Sequence, residues 1–135
     1  MTDQLATLTT EGDVSIITLN DGKANVFSPS MSENINTLLD QVPEDKGALI
    51  ITGKPGMFSG GFDLKIIGSG DAQAAAGMVK AGFKLLARLY SFPRPVVVAC
   101  SGHAVALGAF VLCCGDYRVA ANGKFIVQAN ETRNN

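Results

Sequence analysis

Two segments of the sequence place glycines between an apolar run and a helix-like segment, a pattern able to bind an anion. They are ALIITGKPGMFSGGFDLK, residues 48–65, and PVVVACSGHAVALGAF, residues 95–110. A glycine-rich turn that opens a helix points free backbone N–H groups at one spot, and the helix dipole adds positive potential there. The pattern therefore predicts two sets of amides that can stabilise negative charge.

A nucleotide phosphate is not the expected anion. TGKPGMFSGG lacks the Gly-Lys-Ser/Thr of a P-loop, and GSGDAQ lacks the third glycine and the preceding strand of a dinucleotide site. The remaining hypothesis is a transient oxyanion held by two amides from separate loops.

Composition narrows the class of protein. The 135 residues are 47% hydrophobic and 17% charged, with a net charge of -1, which is typical of one globular unit. The near-neutral balance argues against nucleic-acid binding, which needs a basic face. The N-terminus has no apolar signal region, and no uncharged run approaches the roughly 20 residues of a membrane span. We therefore expect a cytoplasmic protein without membrane contact.

The cysteines and the single histidine do not predict a metal site. Cys100, Cys113 and Cys114 are an odd number in apolar surroundings, so they are predicted to be reduced core residues. With one histidine, His103, a Cys/His zinc site is not expected. We predict no metal and no bound cofactor.

The elements that must position the two loops alternate between strands and helices. This alternation predicts an α/β fold with crossover connections. The chain ends on the polar residues QANETRNN without a closing helix, so we expect a truncated domain over residues 1–135. In chain order, the expected elements are a hairpin over 5–20, a helix with Ser30 and Glu33 at capping-box spacing, a strand buried on both sides over 47–53, a helix over Met78–Tyr90, a strand over 96–102, an apolar helix over 103–115 and two short strands around Asn122-Gly123.

Both glycine-bearing segments carry a family resemblance. MFSGGFDLK resembles the oxyanion-loop motif of the crotonase family, also called the enoyl-CoA hydratase/isomerase family, and CSGHAVALGAFVLCCGDYRVAA resembles its second motif. The likeness extends from about Val14 to the last residue. It implies a ClpP/crotonase-like spiral of ββα units, of which this chain is the N-terminal portion without the C-terminal helical region. It also implies an oligomer, a trimer or hexamer in the full-length protein, that acts on acyl-CoA in fatty acid metabolism.

The resemblance assigns roles residue by residue. The two oxyanion amides are those of Phe62 and Leu107, with Gly60 and Gly61 letting the backbone approach a thioester carbonyl. Coenzyme A enters only as part of the substrate. Its implied contacts are Lys23, Ala24, Val26, Ser59, Gly60, Gly61 and Lys65. For Lys23 and Lys65, an ordinary surface lysine is the competing interpretation.

The resemblance also implies which carboxylate moves a proton. Hydratases of the family, which are lyases, use two glutamates. At the position of the first glutamate this chain has Phe110, which cannot transfer a proton. Glu131 matches the second position in an Asn-Glu variant of the loop. A single glutamate favours isomerase-like transfer, in which one base takes a proton from one carbon and returns it to another. A solvent-facing loop acid is the alternative for Glu131.

Two other functions remain open. GHAVALGAF also resembles the serine segment of Clp-type peptidases, but the serine position is Ala106, which has no hydroxyl to act as nucleophile. His103, just after the strand end, is expected to be a structural, hydrogen-bonded residue rather than a base. The other alternative is a fragment that binds CoA or self-associates without activity.

Overall fold

The structure, a computed structural model, describes residues 4–131. These residues form ten strands and four helices, arranged in three sheets. The elements are β1 Ala6–Glu11, β2 Val14–Leu19, β3 Val26–Phe27, α1 Pro29–Leu39, β4 Ala48–Thr52, β5 Gly56–Ser59, β6 Gly61–Phe62, α2 Leu64–Ile67, α3 Ala72–Tyr90, β7 Val96–Cys100, β8 Gly102–Val105, α4 Leu107–Cys114, β9 Tyr117–Ala120 and β10 Val127–Gln128.

The main sheet has five strands in the order β1-β2-β4-β7-β9. The predicted hairpin is confirmed, since β1 pairs antiparallel with β2, and Glu11 lies opposite Val14 across the turn. The remaining pairs, β2 with β4, β4 with β7 and β7 with β9, are parallel. Parallel neighbours need crossover connections, which the helices provide, so the predicted α/β class is confirmed.

One face of this sheet forms the core. Side chains alternate along β2, β4 and β7, so that Ile17, Leu49 and Val98 are buried on the same side as the helices. The helix α1 contacts β1 and α3, while α4 contacts α3 and β7. Ile50 on the other face of β4 is only half-buried. The prediction of a strand buried on both sides was therefore wrong for β4.

Helix starts differ from the sequence prediction, whereas the end of α3 agrees with it. The N-cap of α1 is Ser28, whose Oγ accepts the Met31 N–H at 3.1 Å, so the predicted start at Ser30 was wrong by two residues. Pro29 follows this cap at the first helical position, where its missing N–H costs nothing. The helix α3 ends at Tyr90 as predicted but begins at Ala72, where Asp71 caps it.

The second sheet, in the order β10-β8-β5, corrects two further predictions. The segment 103–115 is not one helix, because residues 103–105 belong to the strand β8 and only Leu107–Cys114 is helical. The two strands around Asn122-Gly123 exist but do not pair with each other. β9 pairs with β7 in the main sheet, and β10 pairs with β8.

The three cysteines are unpaired by disulfides and differ in exposure. Cys100 is buried as predicted, whereas Cys113 is exposed, so the assignment of all three to the core was wrong for Cys113. Burial raises the pKa of the half-buried Cys114 thiol, and the neighbouring Cys113 adds to this shift. Cys114 therefore stays a protonated, unreactive thiol near neutral pH.

Neither a membrane-spanning helix nor a metal cluster occurs within residues 4–131. No helix in this range has the length and apolar character needed to cross a bilayer. No group of three or more His, Cys, Asp or Glu side chains in this range is arranged to hold a metal ion.

Candidate active site

The two glycine-bearing loops meet at Gly61 and Ala106. An ideal Cβ placed on Gly61 would lie 2.7 Å from Ala106 Cβ, 2.8 Å from the Val105 carbonyl oxygen and 3.4 Å from the Leu107 amide nitrogen. Gly61 also has φ of 92°, which favours glycine. Only glycine allows this approach, which brings the segment with the Phe62 amide next to the Leu107 amide.

The start of α4 leaves an amide unused. Its N-cap, Ala106, has φ 53° and ψ -123° and makes no side-chain cap. Among the hydrogen bonds that residues 4–131 make with each other, none has the Leu107 N–H as donor. An unused N–H at a helix N-terminus carries positive potential. The turn can therefore donate to an oxyanion, at the cost of a strained alanine.

Ser59 and Asn25 hold the first loop from within. Ser59 is fully buried, and its Oγ donates to the Asn25 carbonyl oxygen at 2.7 Å and accepts the Gly61 N–H at 3.1 Å. The Asn25 side-chain amide donates to the carbonyl oxygens of Met57 and Phe58 at 3.2 and 3.1 Å. Ser59 thus positions Gly61, and its hydroxyl is not presented to a ligand.

The loop that precedes α1, with three of the expected CoA contacts, lies along the first glycine loop. The Gly60 N–H donates to the Ala24 carbonyl oxygen at 2.8 Å, and Val26 is in register with Gly61 between β3 and β6. The side chain of Lys23 is exposed at the tip of this loop.

The second expected CoA lysine lies on the short helix α2. Lys65 is exposed, and its backbone N–H donates to Oδ1 of Asp63, the N-cap of α2, at 3.0 Å. The seven expected CoA contacts therefore come from three neighbouring segments. Within these segments the Ser59 hydroxyl is buried and the Gly60 and Gly61 N–H groups already have hydrogen-bond acceptors, so the CoA role of the seven residues stays a prediction.

Asp21 organises the loop before α1. Partial burial alone raises the pKa of Asp21, but the backbone N–H groups of Asn25, Lys23 and Val26, with the charge of Lys54, outweigh it and hold that pKa below its ordinary value. Its Oδ1 accepts the Lys23 N–H at 2.7 Å and the Asn25 N–H at 2.9 Å, and Oδ2 accepts the Val26 N–H at 3.1 Å. The ionised carboxylate is therefore the form that fits.

We expect Asp21→Asn to lower the free energy of unfolding by about 1 kcal/mol at pH 7, because the side-chain NH₂ group of the asparagine would face a backbone N–H donor. The loss stays this small because the Asp21 side chain is partly exposed and solvent screens its charge. A lowered folded-state pKa stabilises the protein above the unfolded-state pKa, and this contribution is lost as pH falls through the folded-state value. Urea unfolding from pH 7 to about pH 2 measures both effects. The wild type should lose this contribution below roughly pH 4, and the variant should not. The control, Asp45→Asn at an exposed site, should match the wild type at pH 7.

A cavity of about 160 Å³ opens where the two loops meet. Glu131 lies at this cavity on a turn after β10, and its side chain is exposed. Leu64 and Ile67 form an apolar part of the wall and are also exposed. The residues that line the cavity are Gly60, Phe62, Leu64, Ile67, Ala106, Asn130 and Glu131.

Phe62 and Phe110 contribute packing. An ideal Cβ on Gly82 of α3 would lie 2.6 Å from Phe62 Cε1 and 2.9 Å from Leu107 Cδ2, so the glycine leaves room for both side chains. Phe62 also lines the cavity. Phe110 is half-buried and packs against the core. It offers no group that can carry a proton.

His103 has the structural role expected for it. It lies on β8, and its Nδ1 accepts the Ile126 N–H at 3.0 Å. The ring also meets Phe125 edge-on, with ring centroids 5.3 Å apart. Its Nδ1 is thus occupied, and the neighbouring Ala106 supplies no nucleophile for it to activate.

Comparison with known proteins decides the family. The family model described as enoyl-CoA hydratase/isomerase matches residues 9–133. The chain belongs to the enoyl-CoA hydratase/isomerase family. The crotonase-like fold that the sequence motifs implied is thereby confirmed for this chain, since its structure matches those of solved members.

Relatives within the enoyl-CoA hydratase/isomerase family carry both activities in their names. Enoyl-CoA delta isomerase 3 of Arabidopsis thaliana is 34% identical over 119 residues, which cover 84% of this chain and 50% of that protein. A probable enoyl-CoA hydratase of Bacillus subtilis is 32% identical over 114 residues, covering 80% of this chain and 43% of the relative. The chain thus spans about half the length of these curated relatives.

Solved structures of family members have the same fold as this chain. The probable enoyl-CoA hydratase EchA3 of Mycobacterium tuberculosis superposes with a TM-score of 0.90 at 47% identity, over 96% of this chain and 55% of that one. An enoyl-CoA hydratase/isomerase family protein of Pseudomonas syringae superposes with a TM-score of 0.92 at 41% identity, over 98% and 57%.

Sequence reasoning missed two kinds of residue at the site. Asp21 and Asn25 hold the loop before α1, and a signal for them exists, because Asp-Gly is a turn signal and Asn tolerates the positive φ of 50° found at Asn25. Asn130, Leu64 and Ile67, which line the cavity, carry no signal in the sequence. Their position depends on where distant segments meet.

Proposed function

We propose that the protein to which this chain belongs acts on acyl-CoA thioesters and stabilises their enolate with the backbone amides of Phe62 and Leu107. The observation that supports this most is the meeting of both loops at Gly61 and Ala106, with the Leu107 N–H free of partners within residues 4–131. Donors fixed in advance at a developing oxyanion contribute the largest single effect in many enzymes.

Glu131 is the proposed proton carrier. It lines the same cavity as Phe62 and Ala106, while Phe110 replaces the other glutamate of the hydratase pair. With one carboxylate, the reaction we propose is isomerisation. Glu131 removes a proton from one carbon of the enoyl thioester, electrons move to the thioester oxygen, and Glu131 returns the proton to another carbon.

A fragment that binds CoA or self-associates without turnover is the second candidate, because the small cavity argues against a complete acyl pocket in this chain alone. About 160 Å³ is less than the ~300–1,000 Å³ of ordinary ligand pockets, and Leu64 and Ile67 are open to solvent. Exposed apolar side chains on β9, Tyr117 and Val119, also support self-association. We therefore propose a homo-oligomer for the whole protein.

Titration calorimetry with acetoacetyl-CoA, a stable enolisable thioester, tests the proposal, with sedimentation run alongside to measure oligomeric state. Saturable binding places the oxyanion and CoA sites within these residues, and assays of isomerisation and hydration then separate the two reactions. Absence of binding by a folded sample contradicts a complete site in this chain and favours a structural fragment.

A further inference from the structure

The segment that carries Glu131 has little burial to hold it in place. Ile126, Val127, Ala129 and Glu131 are exposed, and the other residues between Phe125 and Glu131 are only half-buried. Apolar burial is the main force that fixes a segment against its neighbours. The position of this segment must therefore depend mainly on its hydrogen bonds.

These hydrogen bonds all join the segment to β8 and its continuation. The Ala104 N–H donates to the Ile126 carbonyl oxygen at 2.9 Å, and the Ala106 N–H donates to the Gln128 carbonyl oxygen at 3.0 Å. Ala106 is also the N-cap of α4, directly before Leu107, whose amide is one of the two proposed oxyanion donors. The segment is thus registered against the same turn that presents one of the two oxyanion donors.

His103 supplies the side-chain part of this attachment. Its Nδ1 accepts the Ile126 N–H at 3.0 Å, and its ring packs edge-on against Phe125. Among the hydrogen bonds of the described residues, 4–131, no other joins a side chain to residues 125–131. With Nδ1 as acceptor, neutral His103 has its ring proton assigned to Nε2.

We propose that His103 is a positioning residue that fixes the Glu131 carboxylate relative to the oxyanion site. The bond to Ile126 sets the register of β10 on β8, and Glu131 follows three residues after β10 ends. This inference rests on the proposed function only in its kinetic consequence. The structural part, that Nδ1 holds the segment, stands or fails separately.

The test compares three substitutions in the full chain that is assayed for isomerisation. His103→Leu keeps much of the volume and removes the acceptor, whereas His103→Asn places Oδ1 where Nδ1 lies and keeps it. His103→Gln places its amide further out, at the Nε2 position, and so lacks an acceptor at the Nδ1 position. This polar variant replaces His103→Leu in the test if the leucine variant does not fold.

We expect His103→Leu and His103→Gln to lower kcat by roughly 10²-fold with KM little changed, because a base displaced by about 1 Å loses its near-attack geometry while CoA contacts stay. His103→Asn should recover kcat to within about threefold of the wild type. Hydrogen exchange of the Ile126 amide should rise at least about tenfold in the leucine and glutamine variants only.

Equal kcat in the wild type and His103→Leu, or an equal loss in His103→Asn and His103→Leu, would overturn the kinetic part of the proposal. Unchanged exchange at Ile126 would overturn the structural part. If Glu131→Gln retains full turnover, the proposed function fails, and the exchange experiment still decides whether His103 holds the segment.

Discussion

Replacing Glu131 with glutamine is expected to abolish isomerisation, lowering kcat by at least about 10³-fold. Glutamine has nearly the same shape as glutamate, but its amide cannot take a proton from carbon. Affinity for acetoacetyl-CoA should stay within about twofold, since the oxyanion donors are backbone amides that this substitution does not touch. Single-turnover kinetics and titration calorimetry measure the two quantities separately.

The matched control for this variant is Glu44→Gln, at an exposed position between α1 and β4. Both glutamates are exposed, so neither change should alter the free energy of unfolding by more than about 0.5 kcal/mol. Glu44→Gln should retain full turnover. Equal activity of Glu131→Gln and the wild type would remove Glu131 from the mechanism and leave a surface acid.

Gly61→Ala is expected to lower the free energy of unfolding by about 3 kcal/mol. Two costs combine there. The backbone has φ of 92°, which an L side chain rarely adopts, and the added Cβ would meet the Val105 carbonyl oxygen at 2.8 Å. The added Cβ should also push the two loops apart, so the folded fraction of the Gly61→Ala variant should show no saturable binding of acetoacetyl-CoA.

Gly60→Ala provides a control from the adjacent residue of the same motif. A Cβ there would lie 3.4 Å from Ala24 Cβ and from the Ala24 carbonyl oxygen, which is ordinary contact, and its φ is not positive. Its cost should stay below about 1 kcal/mol. Urea unfolding of both variants measures the difference, and equal free energies of unfolding would contradict the close approach of Gly61 to Ala106.

Features encoded by neighbouring residues were predictable from the sequence. The hairpin has a turn signal between two β-branched runs, and the end of α3 is set by Pro93 and Pro95. The apolar runs of β4 and β7 were also recognisable as strands. Two motifs at compatible spacing were enough to indicate the family and the two loops.

Features that depend on distant partners were not predictable. The segment HAV of β8, residues 103–105, reads as part of an apolar helix because its small residues fit either state, and β5 and β10 on its two sides make it a strand. The strands β9 and β10 look like a hairpin around Asn122-Gly123, yet each finds an edge in a different sheet. The cap at Ser28 was missed because Ser30 has the better local spacing to Glu33.

The strand order of the main sheet has a consequence for biosynthesis. Because the order β1-β2-β4-β7-β9 follows the chain, each new strand is added at the edge left by the one before, and none has to enter between two strands already paired. A chain leaving the ribosome from its N-terminus can therefore extend this sheet strand by strand as it is synthesised. At each stage, one growing edge carries unpaired backbone groups and is the point at which a nascent chain is open to wrong partners.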